Sequence, residues 1–236
     1  MNEITKLDEI IGSTEIIDLS YSLESGMPAW PTHARYGSVI YESYDYGGTA
    51  LQSQITLSEH TGTHVDAPKH FFPEGVSIDE IPLKALMGRG VKIEATEITK
   101  RSFLPLDKIL DFEAREGEIK EGDIVMFRFG WDIKYMIQPD ASEYLHDWPG
   151  LSAEAAVYLM NKKIKAAGCD CMAIDAFGNE ENPVHHILLG HSIPIIENIQ
   201  NLSKIPVFSY VIGLPMKIKG GSGSTLRLAA FIGKQK

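Results

Sequence analysis

The chain has 236 residues, 44% hydrophobic and 23% charged, a globular balance that predicts one core and one domain over 1–236. A formal net charge of −10 repels phosphate backbones and anionic lipid, which argues against nucleic-acid and membrane-surface partners. No apolar run approaches the roughly 20 residues of a spanning helix, and residues 1–10 have neither a basic nor an apolar signal region, so a cytoplasmic protein is expected.

In chain order, residues 1–14 read as a weak leader or an edge element. Residues 15–21 alternate enough for a strand. In 26–33, Gly26, Pro28 and Pro31 rule out a regular element and predict a structured loop. Trp30 within it is either a core plug or a binding wall. Residues 37–57 predict two strands around a turn at 44–49.

The second of these strands leads into His60-Thr-Gly-Thr-His64-Val-Asp66-Ala-Pro-Lys-His70. Imidazole and carboxylate suit Zn²⁺, Mn²⁺ or Fe²⁺. His60, His64 and Asp66 would share one face of an extended chain. A straight strand would still hold His60 and His64 about 13 Å apart, at about 3.3 Å per residue. The chain must therefore curl, and Gly62 permits it. Gly62, Pro68 and the β-branched Thr61, Thr63 and Val65 argue against a helix. The prediction is a strand end running into a tight loop that gathers a metal site. The alternative is a set of scattered surface and core histidines.

Further on, residues 71–75 form a turn with aromatic cover, and 77–80 fit a capping box cut short by Pro82. Residues 90–95 and 122–129 read as strands, and 107–112 as a short helix. Ser152 is the expected N-cap of a helix over 153–167, with Gly168 as its C′ residue. An apolar strand is predicted over 169–175. It contains Cys169 and Cys171, read as small core residues in a reducing compartment. Strand candidates at 207–214 and 225–232 flank a glycine-rich turn at 219–224. The strand–helix–strand unit among antiparallel-like strands predicts a mixed α/β, α+β-like architecture with few helices.

The 60–70 segment resembles the H-x-G-T-H-x-D-x-P-x-H signature of the cyclase family of metal-dependent hydrolases, which includes bacterial kynurenine formamidases and isatin hydrolases. The resemblance implies a swivelling β/β/α-type domain with a partly barrel-like sheet. It also implies that Trp30, in a G-M-P-x-W-P segment, borders the substrate pocket. Thr32-His33 stands where many members have Gly-Asp, and Phe129 before Gly130-Trp131 replaces a threonine. His33 and Trp131 are thus expected at the substrate.

By itself Glu197, amid isoleucines, is either a cation ligand or a solvent-facing strand end. The family carries a His and, twelve residues later, a Glu, a spacing matched by His185 and Glu197. The resemblance implies a second metal held by these two and bridged by Asp66. Asp175 and His191 are possible supports around the ligands. The glycine-rich turn and Arg227 resemble the family's C-terminal pattern.

The expected chemistry is hydrolysis of an amide, an arylformamide or a cyclic amide, with one or two Zn or Mn ions. His60, His64 and Asp66 hold the first ion, and His70 acts as base and then acid. The substrate would be small and planar or aromatic. By the resemblance, a homodimer or homotetramer is expected. The alternatives are a lactone or other cyclic substrate, or a metal-stabilised binding module without turnover.

Overall fold

The computed structural model describes residues 2–234. Helix α1 (Glu3–Ser13) precedes β1 (Thr14–Asp18), β2 (Gly37–Glu42), β3 (Gln52–Thr56) and β4 (His64–Asp66). Strands β5 (Met87–Glu94) and β6 (Phe103–Leu104) lead to α2 (Leu106–Glu116), β7 (Ile124–Arg128) and β8 (Gly150–Leu151). Then come α3 (Ala153–Asn161), β9 (Ala166–Cys169), α4 (Pro183–Gly190), β10 (Ile195–Glu197), β11 (Phe208–Pro215) and β12 (Gly223–Gly233).

One sheet runs β1-β12-β11-β5-β7-β9-β10-β4, and β4 also pairs with β12. That pairing closes the strands from β12 round to β4 into a barrel. Strand β12 is long enough to serve three partners: Gly223–Thr225 meet β4, while the residues beyond meet β11 on one edge and β1 on the other. Strands β5, β7, β9 and β10 are parallel and their other neighbours antiparallel, so the sheet is mixed, as the sequence predicts.

The period of two along the strands sorts the core. Ile124 and Met126 pack with Val65, Ile196, Leu228 and Ala230 inside the barrel. Val125 and Phe127 point outward into a second core shared with Ile109, Phe112, Leu159 and Leu188 of the helices. Fully burying one such aromatic or aliphatic side chain stabilises by about 1.5–3 kcal/mol. The helices therefore cover the outside of the parallel strands and leave the antiparallel side bare.

Several predicted boundaries move. Residues 3–13 are helical, started by the Asn2 side chain, which accepts from Thr5 N. The turn at 77–80 keeps the capping-box bond from Ser77 N to Glu80 Oε2 (3.2 Å) without building a helix. Helix α2 is longer than 107–112. Helix α3 starts at the Ser152 cap but ends at Asn161, and Lys163 has a left-handed φ of 56°. Gly168 is not a helix cap but lies within β9, opposite Ile196, where a Cβ would stand 2.7 Å from the Ile196 carbonyl oxygen. The strand predicted over 169–175 is replaced by 166–169, because beyond it the backbone bonds to loops: Ile199 N donates to Cys169 O and Asn198 N to Cys171 O. Cys169 and Cys171 are buried and unbridged.

Gly168→Ala should destabilise the fold by about 1–3 kcal/mol through overpacking against β10. Urea denaturation measures this, and an unchanged midpoint and slope would contradict the close β9–β10 approach.

Candidate metal centre

Val65 and Ile196 point into the barrel, so their neighbours His64, Asp66 and Glu197 point out of it. The antiparallel pairing of β4 with β10 sets Glu197 directly opposite His64. On the other edge of β4, Gly223 of β12 lies opposite Asp66. A Cβ at Gly223 would be 2.6 Å from His60 Cε1, so this glycine makes room for the His60 ring. His60 is brought there by a loop, not by the strand. Gly62, at φ 63°, turns the chain ahead of β4. The kink precedes the strand, whereas the sequence suggested a strand end running into it.

Helix α4 packs over this outward face and delivers His185. Pro183 sits at its first turn and Asp175 receives its free N–H groups, from Val184 and His185, each at 3.1 Å. The same carboxylate accepts from His185 Nδ1 at 2.7 Å, which turns Nε2 towards Asp66 Oδ2 (3.4 Å) and Glu197 Oε1 (3.2 Å). His64 is oriented likewise: its Nδ1–H donates to Gly62 O at 2.8 Å. Its Nε2 faces Asp66 Oδ1 (3.4 Å) and Glu197 Oε2 (3.5 Å). Each carboxylate thus turns one oxygen to His64 and the other to His185. Glu197 Oε1 also accepts from Ile174 N at 2.8 Å.

His60 Nδ1 lies 2.6 Å from Asp66 Oδ1, and His60 Nε2 lies 3.0 Å from Ser222 Oγ. Ser222 donates in turn to Glu59 Oε2 at 2.6 Å. The sequence reading missed Ser222 and Glu59. The glycine-rich turn was visible, but its contact with the 60–70 segment spans most of the chain. His70 follows on a short turn after Pro68, with its ring centroid 4.1 Å from that of His60, at the mouth of the cleft.

The electrostatics follow from burial. Asp66 and Glu197 are 1% and 4% exposed. Among the described residues the cleft lining contains no lysine or arginine. Burial raises the Asp66 carboxyl, but the electrostatic pull of the adjacent His60 ring and hydrogen bonds from His185, His60 and His64 hold it well below the usual range. Burial and Asp66 push Glu197 up, and hydrogen bonds from His185 and His64 prevail and lower it. Burial pushes His64 down, yet its bonds to both carboxylates lift it to about 10. The imidazoles are being asked to supply positive charge to two buried carboxylates. An all N and O donor set of this kind fits a divalent cation. His64, Asp66 and Glu197 offer ligand atoms within 4.8 Å of one another, and so do His60, Asp66 and His70. His70 lies beyond the hydrogen bonds that lift His64, and burial lowers it to about 4.

The cleft holds about 230 Å³ and is walled by Trp30 and Phe71, with His33 at its edge. His33 Nδ1 is buried without a partner. Trp131 is not brought to this cleft. Asp170 accepts from Phe129 N and Trp131 N, each at 2.9 Å, and clamps the Gly130 turn so that the indole enters the core. There Trp131 Nε1 donates to Tyr144 O at 2.9 Å. His191 is exposed and bonded to Ile187 O, and Arg227 is exposed and paired with Asp18. Neither supports the cluster.

A family model described as "Putative cyclase" matches residues 17–176. A kynurenine formamidase of Bacillus thuringiensis (strain Al Hakam) is 27% identical over 216 residues, covering 91% of this chain and 96% of the relative. The structure of isatin hydrolase A from Labrenzia aggregata, bound to benzyl benzoate, superposes with a TM-score of 0.87 at 29% identity, covering 99% of this chain and all of that one. A metal-dependent hydrolase from Bacillus stearothermophilus, so described from prediction, superposes with a TM-score of 0.74 at 25% identity, over 92% of this chain and 98% of the other. The family match spans more than half of the sequence, and the chain belongs to the cyclase family.

Proposed function

We propose that the protein is a metal-dependent amidohydrolase of a single domain, which cleaves an arylformamide or cyclic amide with activated water. The observation that carries this reading is the pair of buried carboxylates, Asp66 and Glu197, shared by imidazoles with His70 at the rim. His60, His64 and Asp66 would hold one Zn or Mn ion, and Asp66, His185 and Glu197 a second. Such an ion polarises a carbonyl and makes water acidic near neutral pH.

The side chains do the rest. Trp30 and Phe71 hold a planar substrate over the cluster. His70, at the rim of the cleft, takes a proton from the attacking water at a ring nitrogen. The water oxygen bonds to the carbonyl carbon, the carbon–nitrogen bond breaks, and His70 returns the proton to the leaving nitrogen. Formanilides, isatin and aryl lactones are the substrates to compare. His33, at the cleft edge, keeps the cyclic substrates in the comparison. A binding module without turnover would show metal content and no hydrolysis.

Chelation should abolish hydrolysis, and Zn or Mn should restore it. His70→Ala should lower kcat about 10²–10⁴-fold with metal content unchanged. Activity that survives chelation would contradict the proposal. Asp175→Asn should weaken metal binding about 10–100-fold by loosening His185. Calorimetric titration checks this, and unchanged affinity would contradict a supporting role for Asp175.

The β2–β3 hairpin supports a homodimer or homotetramer. A two-stranded sheet is marginal in water by itself, yet Val39, Tyr41 and Ile55 are 68%, 66% and 51% exposed. Light scattering should give at least twice the chain mass, and Val39→Glu should shift it towards monomer. A monomer at micromolar concentration would contradict this. No described helix is long and apolar enough to cross a membrane. The unbridged cysteines support a reducing, cytoplasmic setting.

A further inference from the structure

The 230 Å³ cleft is small for a ligand site, which ordinarily measures about 300–1,000 Å³. A second cavity of about 370 Å³ adjoins it, and Trp30, Ala173 and Asn182 line both. The two together fall inside the ordinary range. Trp30 is therefore a partition rather than an end wall, which accounts for an indole left 38% exposed at an apolar site.

The annex is built from flat, fixed surfaces. Trp148 meets Trp30 edge-on at 5.8 Å and Phe177 edge-on at 4.8 Å between ring centroids. Trp148 cannot swing, because its Nε1 donates to Asp175 O at 2.9 Å in the buried interior. Phe177 is held by the Arg101 guanidinium, 4.8 Å from its centroid, and Arg101 is fixed by Asp147 at 2.6 Å. Ala173 and Ala176 add a low apolar floor, and Asn179 stands at the rim. Aromatic walls in edge-to-face array with small residues between them favour a flat apolar group.

We infer that this annex is a specificity subsite, and that the substrates are two-part molecules. One part is the aryl amide at the His60–His70–Glu197 cluster. The other is a second planar apolar group that passes Trp30 and lodges against Trp148 and Phe177. The inference rests on the hydrolase reading for the identity of the first part. Burial of the second group gives the enzyme its discrimination, at tenfold or more, since a single methylene in a hydrophobic pocket already carries about 10–200-fold.

The test is calorimetric binding of acetanilide and of 4-acetamidobiphenyl to the metal-loaded protein, with hydrolysis of the matching formanilides measured alongside. The biphenyl compound should bind at least tenfold more tightly. Phe177→Ala, which removes one wall, and Asn179→Trp, which fills the annex from the rim, should each bring that ratio near one and leave acetanilide binding within about twofold. A ratio near one in the wild type, or one that both variants leave intact, overturns the inference. If the ratio behaves as expected but neither formanilide is hydrolysed, the subsite stands and the hydrolase reading fails.

Discussion

The structure turns on an unfavourable electrostatic arrangement. Asp66 and Glu197 project from neighbouring antiparallel strands and are both buried. The effective penalty for burying an unpaired charge is several kcal/mol per ion. In the protein alone, part of that penalty is offset by two imidazoles, His64 and His185, drawn towards positive charge. Such an arrangement gives up stability to create affinity for a divalent cation. Ligand residues gathered before the metal arrives need little rearrangement to bind it.

The barrel explains how the arrangement is held. Register between β4 and β10 fixes Glu197 opposite His64, and closure by β12 places Gly223 opposite Asp66, where the His60 ring needs space. Helix α4 is the remaining support, anchored by Asp175 through two backbone N–H groups and the His185 ring. Each ligand candidate thus belongs to a different strand, loop or helix, or to a strand pair whose register cannot slip without turning side chains to the wrong face. Fine positioning comes from ordinary packing: Val65 and Ile196 fill the barrel so that their neighbours face outward.

Much of this was legible in the sequence because it is local. Residues 60–70 carry three imidazoles and a carboxylate around one glycine kink, and alternation alone puts His64 and Asp66 on one face. Glu197 was ambiguous, because strand pairing decides whether it faces solvent or a partner, and pairing is non-local. Trp131 misled because its surroundings depend on Asp170, a buried carboxylate some forty residues away that clamps its turn into the core. The end of α3 was misplaced for a related reason. Gly168 looks like a helix cap locally, yet the space beside Ile196 requires glycine within a strand. Ser222 was visible only as part of the glycine-rich turn, and the Trp148–Phe177 walls gave no local signal.

The most direct test is anomalous diffraction from crystals of the protein, with data collected on both sides of the zinc and manganese absorption edges. The account predicts at least one strong peak between Asp66 and Glu197, ligated by His64 and either His60 or His185. A refined structure with these side chains in their present positions and only water between the two carboxylates, after soaking in either metal, would contradict it.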